Sequence, residues 1–169
     1  MEALNENHAR FRNATWYGEP IKATIGGAGG LGSWLALFLT RCGNDVTIFD
    51  YDRIDRTNLA GQFFMENQIG MNKTEAVADN VYKFCGNSGL RTKSKLTEYS
   101  HIEDVVFSCF DNMESRKVLF EKWCSQSPYS YSDRPVIFID GRMEPESFQI
   151  YCVTPENADR YRATLFNDS

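Results

Sequence analysis

The sequence predicts a doubly wound α/β fold, a mainly parallel sheet with helices on both faces. Three observations carry this. A β-prone run at 21–25 leads straight into a glycine-rich turn, Gly26-Gly27-Ala28-Gly29-Gly30-Leu31-Gly32-Ser33. An apolar helical stretch follows, and the next strand, 46–49, ends in an acid, Asp50. Further along, apolar strand-like runs keep alternating with helical ones, which implies parallel pairing through crossover helices.

The elements follow in order. Residues 1–20 read as an N-terminal helical arm ending at Gly18-Glu19-Pro20, and 21–169 as one nucleotide-binding domain. The first helix runs from about Leu31 to Cys42 and is stopped by Gly43-Asn44. A polar, irregular stretch from Tyr51 to Gln62 comes next. Asn72 reads as the N-cap of a second helix, with Glu75 completing a capping box. The apolar face of that helix is Ala76, Val77, Val81 and Phe84, and Gly86 ends it. Residues 90–96 alternate weakly as a strand. The run 105–110 is a buried-type strand ending at Asp111-Asn112. A helix over 114–125 is expected to bury Val118, Leu119 and Trp123. The apolar run 135–139 ends at Asp140-Gly141, and 148–153 suits a sheet edge. Strands apolar throughout are covered on both faces. Ligands of such folds lie beyond the carboxyl ends of the strands. Asp50, Asp111 and Asp140 are therefore expected on one rim, beside the glycine turn.

Size and charge narrow the function. At 169 residues and 42% hydrophobic, the chain supports one domain with a real core. A net charge of −5 argues against a nucleic-acid partner. No run approaches the ~18 apolar residues of a membrane span, and the polar N-terminus is no signal peptide. Cys42, Cys85, Cys109, Cys124 and Cys152 are widely spaced, with no Cys-x-x-Cys. They read as reduced thiols, mostly packed, in a cytoplasmic protein.

The motif Gly27-x-Gly29-x-x-Gly32 is a dinucleotide fingerprint. The first glycine permits the tight turn, the second lets a phosphate approach the backbone, and the third lets helix and strand pack closely. Gly30 belongs to the same turn, and Ser33 offers a hydroxyl. The helix beyond points free N–H groups and its positive end at anionic oxygens. Asp50 follows Gly32 by 18 residues, close to the ~20 typical of an acid that binds ribose hydroxyls. NAD, FAD, S-adenosylmethionine and ATP all remain open at this point. Asp52, Asn58, Gln62 and Lys73 then favour a nucleoside triphosphate, whose charged tail needs a cation and amide donors. Asp111 suits Mg²⁺ and Asn112 sits beside it. Asp111 also suits the N-cap of the next helix. Arg116 is a partner for either Asp111 or the phosphates.

Taken together, Gly27–Ser33, Asp50-Tyr51-Asp52, Asn58-Leu59 with Gln62-Phe63, Gly70-x-x-Lys73 and Phe110-Asp111-Asn112-x-x-x-Arg116 resemble the ThiF/MoeB adenylyltransferases, relatives of ubiquitin-activating enzymes. The segment Ile139-Asp140-Gly141-Arg142-Met143 is also similar to that family, and the likeness spans about residues 8–155. It implies a Rossmann-like fold and a homodimer. It also implies ATP- and Mg²⁺-dependent adenylation of the C-terminal carboxylate of a ubiquitin-like or sulfur-carrier protein. By the same likeness, Gly27, Gly29 and Asp50 hold the nucleotide, and Gly30, Gly32, Asp52, Gln62 and Asn112 are expected at the same site. Asn58 and Lys73 hold phosphates, and Asp111 holds Mg²⁺. Lys73, Asp111 and Arg12, the last reaching the partner subunit's site, are the implied catalytic residues.

Two departures stand out. The family usually reads Asn-Leu-x-Arg-Gln, but Gly61 occupies the arginine position here. Arg53 and Arg56 are candidates to replace it. The family also continues into a crossover segment, often with a catalytic cysteine and sometimes two zinc-binding cysteine pairs. None is visible up to Ser169, so a C-terminally truncated chain or a minimal nucleotide-binding core is expected. Cys124 and Cys152 look packed and unsuited to a thioester. A non-catalytic scaffold subunit and an NAD- or FAD-linked oxidoreductase are the alternative functions.

Overall fold

A computed structural model describes residues 18, 20–86, 89–126 and 135–166. The N-terminal arm, including Arg12, lies outside the described residues apart from its last positions. Six strands form one sheet: β1 (Lys22–Gly26), β2 (Asp45–Phe49), β3 (Leu90–Lys93), β4 (Val105–Ser108), β5 (Ile137–Met143) and β6 (Phe148–Val153). Their spatial order is β3-β2-β1-β4-β5-β6. The first five are parallel, and β6 runs antiparallel to β5 at the edge. The order reverses between β1 and β4, which opens a crevice at their carboxyl ends.

Helices α1 (Gly32–Arg41) and α2 (Lys73–Cys85) cover one face, and α3 (Met113–Gln126) and α4 (Ala158–Arg162) the other. Strand alternation divides the core between them. Val46 and Ile48 of β2 join Ile25, Ala36, Leu37, Ala76, Val77 and Val81 under α1 and α2. Phe49 faces the opposite way, with Val106, Leu119, Phe120, Trp123, Phe138 and Tyr161. There Phe120 meets Phe138 edge-on at 5.3 Å and Tyr161 at 4.7 Å between ring centroids. Each such buried aromatic contributes about 1.5–3 kcal/mol by burial alone.

Some local expectations need correction. Asn72 is the N-cap of α2 but its side chain caps nothing, so no capping box with Glu75 forms. Instead the Lys73 N–H donates to the Asp52 carbonyl at 2.9 Å, stitching the helix start to the end of the polar excursion after β2. Phe84 and Val118, expected inside, are exposed. Phe84, in the last turn of α2, meets Phe63 at 5.6 Å between ring centroids, and Val118 points away from the buried stripe of Arg116, Leu119, Phe120 and Trp123. Cys152 is exposed on edge strand β6 rather than packed. Gly86 does end α2, at φ +72°.

The excursion at 51–72 is ordered by its own polar groups. Asp55 caps a 3-10 turn at Arg56–Ala60, accepting N–H bonds from Thr57 and Asn58, while Asn58 Oδ1 accepts from the Asp55 N–H. A second such turn covers Glu66–Gln68. Gln68 and Asn80 of α2 exchange side-chain bonds at 2.8 and 3.1 Å, both buried. Asn80 also donates to the Phe63 carbonyl at 2.8 Å. These bonds hold Asn58, Gly61 and Gln62 at the crevice mouth.

Candidate functional site

A cleft of about 470 Å³ lies over the carboxyl ends of β1, β2, β4 and β5. That is within the ~300–1,000 Å³ of small-molecule sites. Its floor is the glycine turn. Gly27 has φ +94°, and a Cβ there would sit 2.8 Å from the Cys109 carbonyl oxygen. Only glycine fits so close to the neighbouring backbone. A Cβ on Gly29 would meet nothing, leaving the backbone open to a ligand. Gly32 does not line the cleft: its Cβ would lie 1.8 Å from the Gly27 carbonyl oxygen, so this position serves helix–turn packing. Ser33 is likewise withdrawn, because its buried hydroxyl accepts the Phe63 N–H at 3.0 Å.

Asp50 stands beside the turn. Its Oδ2 accepts the Ala28 N–H and its Oδ1 the Asp52 N–H, each at 2.7 Å. Burial pushes the carboxyl above its usual 3.8, against these two bonds and the nearby Lys73 charge, which pull it down. Each oxygen keeps a lone pair for a further donor. Across the cleft mouth, Lys73 Nζ is buried and paired with Asp52 Oδ2 at 3.1 Å. Asn58 and Gln62 line the same wall. Among the described residues Gln62 Oε1 is a buried acceptor with no donor, a group that costs about 1–3 kcal/mol unless a ligand or water supplies one.

On the β4 side, Asn112 caps α3 by accepting the Ser115 N–H at 2.8 Å, so the cap is not Asp111. Asp111 lines the cleft and accepts Asn112 Nδ2 on one oxygen at 3.1 Å. Its other oxygen has no partner among the described residues. No cluster of three or more metal-ligating side chains occurs among the described residues. One free carboxylate at the wall of such a cleft fits Mg²⁺, which is commonly held by one or two carboxylates, substrate phosphates and water.

Asp140 is not on the rim. It pairs in register with Ser108, level with Gly26 and Phe49 and one residue inside the sheet relative to Asp50. It is fully buried and shared by two guanidiniums. Arg116 bonds its Oδ1, and Arg142 Nε donates to its Oδ2 at 2.7 Å. Arg116 therefore pairs with Asp140, not Asp111. Arg142 also donates to the Thr164 hydroxyl at 2.9 Å and lies 4.4 Å over the Tyr151 ring. Both arginines line the cleft. The role of Arg142 had a signal in the sequence: two residues after Asp140 in a strand, it shares that residue's face.

Gly61 also lines the cleft, and a Cβ there would meet nothing within 4 Å. Its carbonyl is held by Trp34 Nε1 at 3.0 Å. Neither proposed substitute reaches the site. Arg53 donates to the Gly70 carbonyl at 2.7 Å, and Arg56 pairs with Glu66 at the surface at 3.2 Å. Cys109 lines the cleft, but burial pushes its thiol up to about 12, so it is no thiolate at neutral pH.

The profile of the ThiF family matches residues 19–154. The chain belongs to the ThiF family. Among curated relatives, this ThiF-family chain is 34% identical to ubiquitin-like modifier-activating enzyme 5 of Caenorhabditis elegans over 136 residues, covering 69% of this chain and 30% of that one. It is 34% identical to the Bombyx mori protein of the same name over 116 residues, 55% of this chain and 28% of that one. The chain thus spans less than a third of the length of these relatives. Among solved structures, the Escherichia coli tRNA N6-threonylcarbamoyladenosine dehydratase TcdA superposes over 99% of this chain and 77% of that chain. Its TM-score is 0.70 at 20% identity. Escherichia coli MccB with MccA-N7isoASN covers 87% of this chain and 47% of its own, with a TM-score of 0.63 at 20% identity. These two show the shared fold. No helix among the described residues is long and apolar enough to cross a membrane.

Proposed function

We propose that this chain is the adenylation core of an ATP-dependent activating enzyme. It binds ATP and Mg²⁺ and joins AMP to the C-terminal carboxylate of a ubiquitin-like or sulfur-carrier protein, releasing pyrophosphate. One observation carries the reading. A buried ammonium, Lys73, faces the glycine turn across a single cleft that also holds Asn58 and Asp111. NAD and FAD carry only a pyrophosphate and have no γ-phosphate to meet such a cation. Family membership and the names of the relatives support the same chemistry.

Asp50 accepts the ribose hydroxyls. Backbone N–H groups of the glycine turn take the α-phosphate, while Asn58 and Lys73 hold the β- and γ-phosphates as they leave. Asp111 positions Mg²⁺, which neutralises phosphate charge when bound. The reaction is mainly positioning and charge stabilisation. A protein acceptor is favoured over the tRNA named for TcdA, because a net charge of −5 repels a polyanion. The working unit is a homodimer with Arg12 of each protomer serving its partner, and the protein works in the cytoplasm.

The test is pyrophosphate exchange into ATP in the presence of the cognate carrier protein. Exchange that disappears in Lys73→Ala supports the reading. Exchange fully retained in that variant contradicts the role of Lys73. A second reading rests on Gly61, which leaves the usual arginine position empty with neither Arg53 nor Arg56 turned toward it. It makes the chain a non-catalytic partner that keeps the fold, and it predicts no exchange with any carrier.

A further inference from the structure

The two cleft arginines share one carboxylate, so among the described residues two positive charges beneath the rim are paired with a single negative one. Buried guanidinium is tolerated only where its charge and its N–H groups are matched. Arg142 is matched: Asp140, Thr164 and the Tyr151 ring enclose it. Arg116 is not. A guanidinium has five N–H donors in a fixed fork. Both hydrogens of Nη1 are used, on Asp140 and on the Gly141 carbonyl, the latter at 3.0 Å. Nε and Nη2 have no partner among the described residues. Neither is a fully enclosed, unpaired atom, and Arg116 lines the cleft, so these three N–H groups reach its interior. The Nε–Nη2 edge presents two parallel donors, the geometry that receives a two-oxygen anion.

We propose that the Nε–Nη2 edge of Arg116 is the seat of the acceptor's carboxylate, a subsite distinct from the phosphate wall. The inference rests on the adenylation reading, and the direction of displacement supports it. The attacking and leaving oxygens of a phosphoryl transfer lie roughly in line. Pyrophosphate departs toward Lys73 and Asn58, beyond β2, so the nucleophile comes from the opposite side, where β4, β5 and α3 carry Arg116 and Gly141. One carboxylate oxygen forms the new bond to the α-phosphorus, the bond from that phosphorus to the α–β bridging oxygen breaks, and pyrophosphate takes the electron pair. The carboxylate is already ionised, so no proton moves. Arg116 screens it from the triphosphate it must approach and holds it by two donors.

The test observes the Arg116 Nε–H signal by NMR in the full chain carrying ¹⁵N-arginine, assigned by its loss in Arg116→Lys. The probe is N-acetyl-glycylglycine, with its C-terminal amide as the control. The expected result is a saturable shift with the free acid and none with the amide. ATP–Mg²⁺ alone should leave the signal in place. Arg116→Lys keeps the charge but loses the fork, and Asp140 stays paired with Arg142. Acid binding, followed on neighbouring amide signals, should weaken about tenfold, the equivalent of one lost charge-assisted bond. A shift that saturates with ATP–Mg²⁺ alone assigns the fork to a phosphate and overturns the proposal. Silence toward both probes, or equal response to acid and amide, also overturns it. Failure of ATP–Mg²⁺ to bind anywhere in the cleft refutes the adenylation reading instead, which keeps the two failures distinct.

Discussion

Gly61→Arg restores the side chain that the family usually carries, and the structure makes its consequence calculable. The position lines the cleft, has φ −141° and ψ −5°, and offers open space to a Cβ. An L-residue fits there without a positive φ, and the Trp34 bond to the residue 61 carbonyl survives because it uses only backbone. Replacing glycine at a compatible site gains about 0.4–1 kcal/mol through the unfolded chain. One charge-assisted bond to phosphate contributes about 1.5–3 kcal/mol, or about 10–150-fold in affinity. Gly61 is exposed, so screening favours the lower end of that range. Calorimetry should therefore show ATP–Mg²⁺ binding about tenfold tighter in Gly61→Arg, with the gain shrinking as salt rises. Gly61→Gln, of similar reach but uncharged, should show little of it. Unchanged or weaker binding in a folded Gly61→Arg variant would refute the placement of the triphosphate beside this turn.

Four further outcomes rest on the same structure. Gly32→Ala sets a methyl 1.8 Å from the Gly27 carbonyl oxygen, and thermal denaturation should show a loss of several degrees or no folded protein. Burial, the largest influence on the Asp50 carboxyl, raises it above 3.8, so the folded chain holds that proton more tightly than the unfolded one. Its contribution to stability is thus greatest below 3.8 and is lost as pH rises through the raised value. Adenosine binding has the opposite sense, since ribose donors need the carboxylate: affinity should fall as pH drops through that value, and Asp50→Asn should lose the dependence. Iodoacetamide at pH 8 should label exposed Cys42 and Cys152 and spare Cys109, whose thiol is pushed up to about 12. Mass spectrometry of tryptic peptides reads this directly.

Much of the architecture was legible because it rests on local rules. The glycine spacing, the strand before it and the acid after β2 specify the first crossover unit, and the apolar runs at β4 and β5 fix the sheet centre. Most of the residues singled out for a nucleotide line one cleft, since strand ends and helix starts converge there in any sheet of this winding. What escaped depended on register and long-range pairing. Asp140 follows an apolar run as Asp50 does, but β5 continues through Met143, so the acid falls inside the sheet. Its partner Arg116 lies 24 residues away on α3, and no local pattern connects them. Thr164, which fixes Arg142, is invisible until α4 folds back on the sheet. The N-cap of α3 moved from Asp111 to Asn112, a one-residue shift that frees a carboxylate at the rim. Ser33 and Gly32, both in the fingerprint, serve packing because the helix start presses against the turn.

The central claim is that the chain binds a triphosphate gripped by Lys73. Calorimetry with ATP–Mg²⁺ and with NADH, on wild type and Lys73→Ala, tests it most directly. Wild type should take up ATP–Mg²⁺ and ignore NADH, and Lys73→Ala should lose the ATP signal while keeping its fold. Tight NADH binding with indifference to ATP–Mg²⁺ would contradict the account.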